Sequence, residues 1–159
     1  SNMTTISNRP FDTINIDDFC QRQHTVTEDD LLLFAKASGD LNPLHLDAEY
    51  AATTPFKQRI AHGMFTGGLI SAALAMDLPG PGTIYLSQDL QFKRPVCIGD
   101  TLTVTLTVIE KHAEKPIVTL QCVVTNQDDK AVVIGTAKVM APTISMTVEA
   151  GNVDQLEEA

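Results

Sequence analysis

HGMFTGGLISAALAMD, residues 62–77, is apolar on every face of the helix that it predicts. At 1.5 Å per residue the run is long enough for about four turns. No polar stripe divides it, so it is expected to be buried all round. Gly67, Gly68, Ala72, Ala73 and Ala75 would let other backbone come close. Each central glycine costs about 1 kcal/mol of helix propensity, which tight packing has to offset. Leu78-Pro79-Gly80-Pro81-Gly82 then stops the helix.

C-terminal to this helix the period changes to two. Thr83 to Val96 is a candidate strand, broken near Pro95. Thr101 to Glu110 alternates Leu102, Val104, Leu106 and Val108 with threonines. Val118, Leu120, Cys122 and Val124 alternate similarly, and Lys130 to Met140 is a further strand. The connections Ile98-Gly99-Asp100 and Asn126 to Asp129 are short, as in antiparallel hairpins. One half-polar sheet and one wholly apolar helix predict an α+β fold in which the sheet wraps the helix. Residues 143–159 form an acidic, aperiodic tail, either disordered or leading towards a further unit.

On the N-terminal side, residues 3–19 are an extended lead-in and Gln23 to Val26 a short strand. Thr27 can cap the next helix, with Asp30 near a capping-box position. Leu31 to Ala35 supply its buried face, and Gly39 suits the left-handed position after it. Pro43 makes Asp40 to His45 a loop rather than a continued helix. Asp47 can cap a second helix, Ala48 to Thr53.

The 159 residues are enough for one domain, and 43% of them are hydrophobic. No apolar run reaches the roughly 18 residues of a membrane span. A net charge of −9 argues against nucleic acid or an anionic membrane as partner. Three cysteines without a CxxC pair fit a reducing, cytoplasmic setting. The N-terminus has no secretory-signal pattern, and Ser1-Asn2 reads as an expression scar.

The chemistry lies in Asp40-x-x-x-x-His45. On a straight helix these residues would diverge by roughly 140°, whereas across a proline-containing loop they can converge on one water. Spacing alone is equally compatible with a helix cap and a surface histidine. Gly63 opens the apolar helix, where free N–H groups and the helix dipole favour developing negative charge.

The segments SGDLNPLHLDAEYA, RIAHGMFTGGLISAAL and LPGPGTIYLSQDLQFKRPVCIGDTL occur in this order between Thr25 and Pro142. Together they resemble the MaoC-like, (R)-specific enoyl-CoA hydratases. The resemblance implies a hot-dog fold over residues 3–142, with antiparallel sheet around a long central helix. It implies hydration of a trans-2-enoyl-CoA to the (R)-3-hydroxyacyl-CoA, without metal or redox cofactor. Asp40 and His45 match the family's catalytic pair, and Gly63 the glycine whose N–H binds the thioester oxygen. Ser71 matches a serine near the site in some members, with a helix-bonded hydroxyl as its other reading. Asn42 matches a motif asparagine that orients the pair or shapes the loop. The family's small members imply a homodimer. The sequence is also similar to the hydratase part of enoyl-CoA hydratase/phosphate acetyltransferase fusions, making residues 143–159 the start of a linker.

Lys57, Arg59, Lys93 and Arg94 are candidates for coenzyme A phosphates, or are simply solvated. His24, His62 and His112 have no zinc-ligand spacing with His45, and His62 is expected to cap or pack at the helix start. Cys97 is expected to be packed rather than nucleophilic. The competing functions are a hot-dog thioesterase or acyl-carrier-protein dehydratase, and a non-catalytic acyl-CoA-binding module.

Overall fold

The computed structural model describes residues 4–154; Ser1 to Met3 and residues 155–159, with the end of the acidic tail, lie outside it. In chain order the elements are β1 (Thr5–Ser7), β2 (Phe19–Thr25), α1 (Glu28–Ser38), α2 (Pro43–Leu46), α3 (Ala48–Ala52) and α4 (Gly63–Met76). β3 (Ile84–Phe92), β4 (Thr101–Lys111), β5 (Ile117–Thr125), β6 (Ala131–Met140) and β7 (Thr147–Glu149) follow. Five strands form an antiparallel sheet in the order β2-β4-β5-β6-β3, against which α4 packs.

The alternating strands bury the residues that their period assigns to the core. Leu102, Val104, Leu106 and Val108 of β4 and Val118, Leu120, Cys122 and Val124 of β5 are all 0–2% exposed. Ile70, Ala73 and Leu74 of α4 join the same cluster. α1 begins with a full capping box between Thr27 and Asp30, and ends at Gly39 with φ of 82°, a conformation that glycine adopts without strain. Asp47 caps α3 through the Tyr50 amide.

Several elements depart from their sequence expectation. β2 starts at Phe19, four residues before the alternation reveals it, because its outer face is solvated. On α1 only Leu31 and Ala35 are buried, while Leu32 and Leu33 are 43% and 64% exposed. The Asp40 loop closes into a single turn, α2, whose first residue is Pro43; there the missing N–H has no helical partner to lose. α4 is not buried all round: the sheet covers Thr66, Ile70, Ala73 and Leu74, while Met64 is 58% exposed. Nor does backbone approach its glycines. A Cβ at Gly67 would meet the Met64 and Leu90 side chains, and one at Gly68 would meet nothing within 4 Å. The close backbone approach is at Gly135, whose Cβ would stand 2.0 Å from the Asp89 carbonyl oxygen.

β3 and β4 do not form a hairpin. β3 pairs with β6 and β4 with β2 and β5, so Ile98-Gly99-Asp100 belongs to a connection across the sheet. The segment is held by the Ala61 N–H on Val96 O and the Gly99 N–H on Val26 O. Part of the tail is ordered: β7 pairs antiparallel with β1. Asn8 ties this ribbon down, its amide donating to Pro81 O and Ile144 O and its Oδ1 accepting from the Met146 N–H. Among the described residues no helix is long and apolar enough to cross a membrane.

Candidate active site

Asp40 and His45 converge as the proline-containing loop allows. Asn42 caps α2 by accepting the Leu44 N–H, and its own N–H donates to Asp40 Oδ1 at 3.1 Å. Asn42 thus shapes the loop. The Asp40 N–H is held by Ser38 Oγ. Asp40 Oδ2 and His45 Nε2 end 3.8 Å apart, with the carboxylate about half exposed and the imidazole largely buried.

The tautomer of neutral His45 follows from its other nitrogen. Nδ1 lies 2.7 Å from Ile60 O, and a carbonyl only accepts, so Nδ1 carries the proton. Nε2 then faces Asp40 as an acceptor. Arg59, a phosphate candidate above, is held structurally: Nε donates to His45 O and Nη1 to Glu28 Oε1, while its buried Nη2 has no partner among the described residues.

His62 packs at the start of α4 as expected, without a side-chain capping bond, but its sequence context does not reveal its neighbours. Its ring stacks on His45 with centroids 3.9 Å apart and planes 26° from parallel. Nε2 donates to Asp40 O at 3.1 Å, while the buried Nδ1 has no partner among the described residues. A buried acceptor without a partner costs about 1–3 kcal/mol. Ligand atoms of Asp40, His45 and His62 lie within 4.8 Å of one another despite their unpromising spacing. Two of the four ring nitrogens are already committed to backbone carbonyls, His45 Nδ1 to Ile60 O and His62 Nε2 to Asp40 O.

Two cavities meet here. One, of about 280 Å³, is lined by His45, Lys93 and Arg94 among others. The second, of about 410 Å³, is lined by Asp40 and Phe34. His62, Gly63 and Phe92 border both. Gly63 is the exposed first residue of α4, so its N–H has no carbonyl one turn back in that helix. Ser71 lies two turns further along, half-buried, and lines neither cavity. Burial pushes the Cys20 and Cys122 thiols up to about 11 and raises Cys97 as well, which leaves them poor nucleophiles at neutral pH.

The geometry defines a hot-dog domain whose aspartate and histidine each line a cavity that the first residue of the central helix also borders. More particularly, the chain belongs to the MaoC-like domain family, whose model matches residues 17–130. It is 52% identical over 118 residues to an (R)-specific enoyl-CoA hydratase of Rhodospirillum rubrum, covering 74% of this chain and 81% of that protein. A mitochondrial 3-hydroxyacyl-[acyl-carrier-protein] dehydratase of Solanum lycopersicum is 32% identical over 148 residues, covering 92% and 88%. The unliganded R-hydratase of Pseudomonas aeruginosa superposes with a TM-score of 0.91 at 50% identity, covering 94% of this chain and 96% of that one.

Proposed function

We propose that this chain is an (R)-specific enoyl-CoA hydratase, a hydro-lyase that adds water reversibly to a trans-2-enoyl-CoA. The observation that carries the proposal is the 3.8 Å gap between Asp40 Oδ2 and His45 Nε2 at the N-terminus of α4. One water can bridge two acceptors at that separation from the side, about 2.8 Å from each. The water adds its oxygen to C3 and yields a proton to the pair, and the pair returns a proton to C2. The pair ends as it began. Charge builds on the thioester oxygen meanwhile, and the Gly63 N–H with the helix dipole is proposed to receive it. Nε2 of His45 is the acceptor that is open in the resting tautomer.

The remaining assignments rest on position. Lys93 and Arg94, exposed at the mouth of the His45 cavity, are proposed to meet the phosphates of coenzyme A. Asn42 serves by shaping the loop. Ser71, eight residues and so about 12 Å along α4 from Gly63, is proposed as a substrate contact on the family match alone, since it lines neither cavity. A homodimer is supported by the apolar groups left open along α4 and the edge strand β3, among them Met64, Ile84, Leu86 and Phe92. Light scattering after size exclusion tests it, and a monomer at micromolar concentration would sink it. The free cysteines suit a cytoplasmic setting. The hydratase domain is proposed to span residues 3–142, with residues 143–159 as the start of a linker, part of which pairs with β1 as β7. The likeness to hydratase–acetyltransferase fusions is the sole support for a following transferase unit; the length of the natural reading frame tests both.

The deciding experiment is loss of enoyl absorbance on mixing the protein with crotonyl-CoA, with the product resolved by chirality. Formation of the (R)-alcohol is expected. No turnover with C4, C6 or C8 substrates by folded protein would favour a non-catalytic acyl-CoA-binding module, and release of free thiol a thioesterase.

A further inference from the structure

His62 is 3% exposed and occupies the N-cap position of α4, yet its side chain makes no capping bond. Serine, threonine, aspartate or asparagine would cap the helix here. Histidine instead buries an unpartnered Nδ1. Neither feature favours stability. What the side chain does is join two parts of the site. Its Nε2–H holds the backbone carbonyl of Asp40, and its ring lies between Phe34, at 4.9 Å, and His45, at 3.9 Å. The bonds from Ser38 and Asn42 to Asp40 are local to the loop. The His62 bond crosses from that loop to the helix that starts at Gly63.

We propose that His62 is a positioning residue for the hydration reaction: it sets the distance from Asp40 to His45 and Gly63. The proposal rests on the hydratase reading above. His45 is held independently through Nδ1 on Ile60 O and Arg59 on its carbonyl, so Asp40 is the partner that depends on His62. Stability has been exchanged for placement, a common arrangement where function needs a costly geometry.

The test compares His62→Phe, which keeps a stacked ring and removes the donor, with His62→Gln, which keeps a donor and removes the ring. Tm, kcat and KM for crotonyl-CoA, and amide hydrogen exchange at residues 40–42 are measured for both. His62→Phe is expected to melt within about 4 °C of wild type, or above it. Its kcat should fall about tenfold or more with KM little changed, since a misplacement near 1 Å costs on the order of 10²-fold. His62→Gln should recover most of that loss. Exchange at residues 40–42 should quicken in the phenylalanine variant and remain slow in the glutamine variant. A phenylalanine variant with nearly wild-type kcat overturns the proposal. So does a loss of kcat in both variants that tracks their Tm, which marks a packing role. If His62→Phe does not fold, His62→Leu against His62→Gln carries the same comparison. If wild type does not hydrate any enoyl-CoA, the hydratase reading fails by itself. Exchange at residues 40–42 then decides the positioning claim, and unchanged exchange overturns it.

Discussion

Nε2 of His45 stands 3.8 Å from Oδ2 of Asp40, beyond direct hydrogen-bond reach and within reach of one shared water. The Asp40 loop is tied by its own backbone and by Ser38, and His45 by Ile60. The two groups are therefore held near each other without bonding directly.

Removing either group should cost catalysis without costing the fold. Asp40→Asn keeps an oxygen for the Asn42 N–H, and His45→Gln keeps a polar side chain of similar reach. Each is expected to lower kcat by about 10²–10⁴-fold, the usual scale of general acid/base contributions. The melting temperature should scarcely move. A variant of either residue that retained nearly full activity would sink the assignment.

Gly63→Ala tests the helix N-terminus. The new Cβ would stand 3.2 Å from Phe92 Cε1, and the Phe92 side chain, 53% exposed, has room to give way. Folding should survive, since the alanine is a better helix former by up to about 1 kcal/mol. Hydration should slow by about tenfold or more, because crowding weakens a donor whose complete removal costs on the order of 10²–10³-fold. Steady-state kinetics with crotonyl-CoA decides it, and an unchanged rate would remove Gly63 from the mechanism.

Gly135→Ala should be far more damaging, although it lies away from the site. A Cβ there would be 2.0 Å from Asp89 O, which is backbone of the paired strand β3 and cannot swing aside. A loss of about 3 kcal/mol or more is expected, at the upper end of overpacking effects. Urea unfolding measures it; an unchanged midpoint would mean that β3 and β6 can part locally without penalty.

Asp30 links α1 to pH. Burial pushes its carboxyl up, but the Thr27 N–H and the His24 ring outweigh that, and the net shift is downward. A depressed folded-state value stabilises above the ordinary carboxylate value of about 3.9 and loses that contribution as pH falls below it. Asp30→Asn should therefore cost about 1 kcal/mol at neutral pH, the usual worth of a cap, and progressively less below about pH 4. Denaturant titrations at pH 7 and pH 3 give the two differences. Equal differences at both would show that the charge contributes nothing.

Some of this was legible locally. The capping box at Thr27 and Asp30, the left-handed Gly39 and the Asp47 cap each depend on atoms within a few residues. The inward sides of β4 and β5 follow from strict alternation, because a strand can bury only one of its faces in a single sheet. Asp40 and His45 are singled out by the family resemblance; Pro43 only makes their convergence across the loop possible, since spacing alone also fits a cap and a surface histidine. The stack of His45 on His62 had no such signal: these residues lie 17 positions apart, on separate elements. Arg59 looked like any loop arginine until Glu28 and His45 O claimed it.

The sequence by itself determined the types of α1, α3, α4 and the long strands β3 to β6, the apolar character of α4, and the core faces of β4 and β5. These are short-range properties, set by periodicity, caps and the backbone limits of glycine and proline. Only the tertiary structure decided that β3 pairs with β6 rather than with β4, that β7 returns to β1, and that His62 bridges Asp40 to α4. Such choices depend on which surfaces remain unburied once every element has formed. A strand edge or an imidazole has no preferred partner until the whole chain has closed around it.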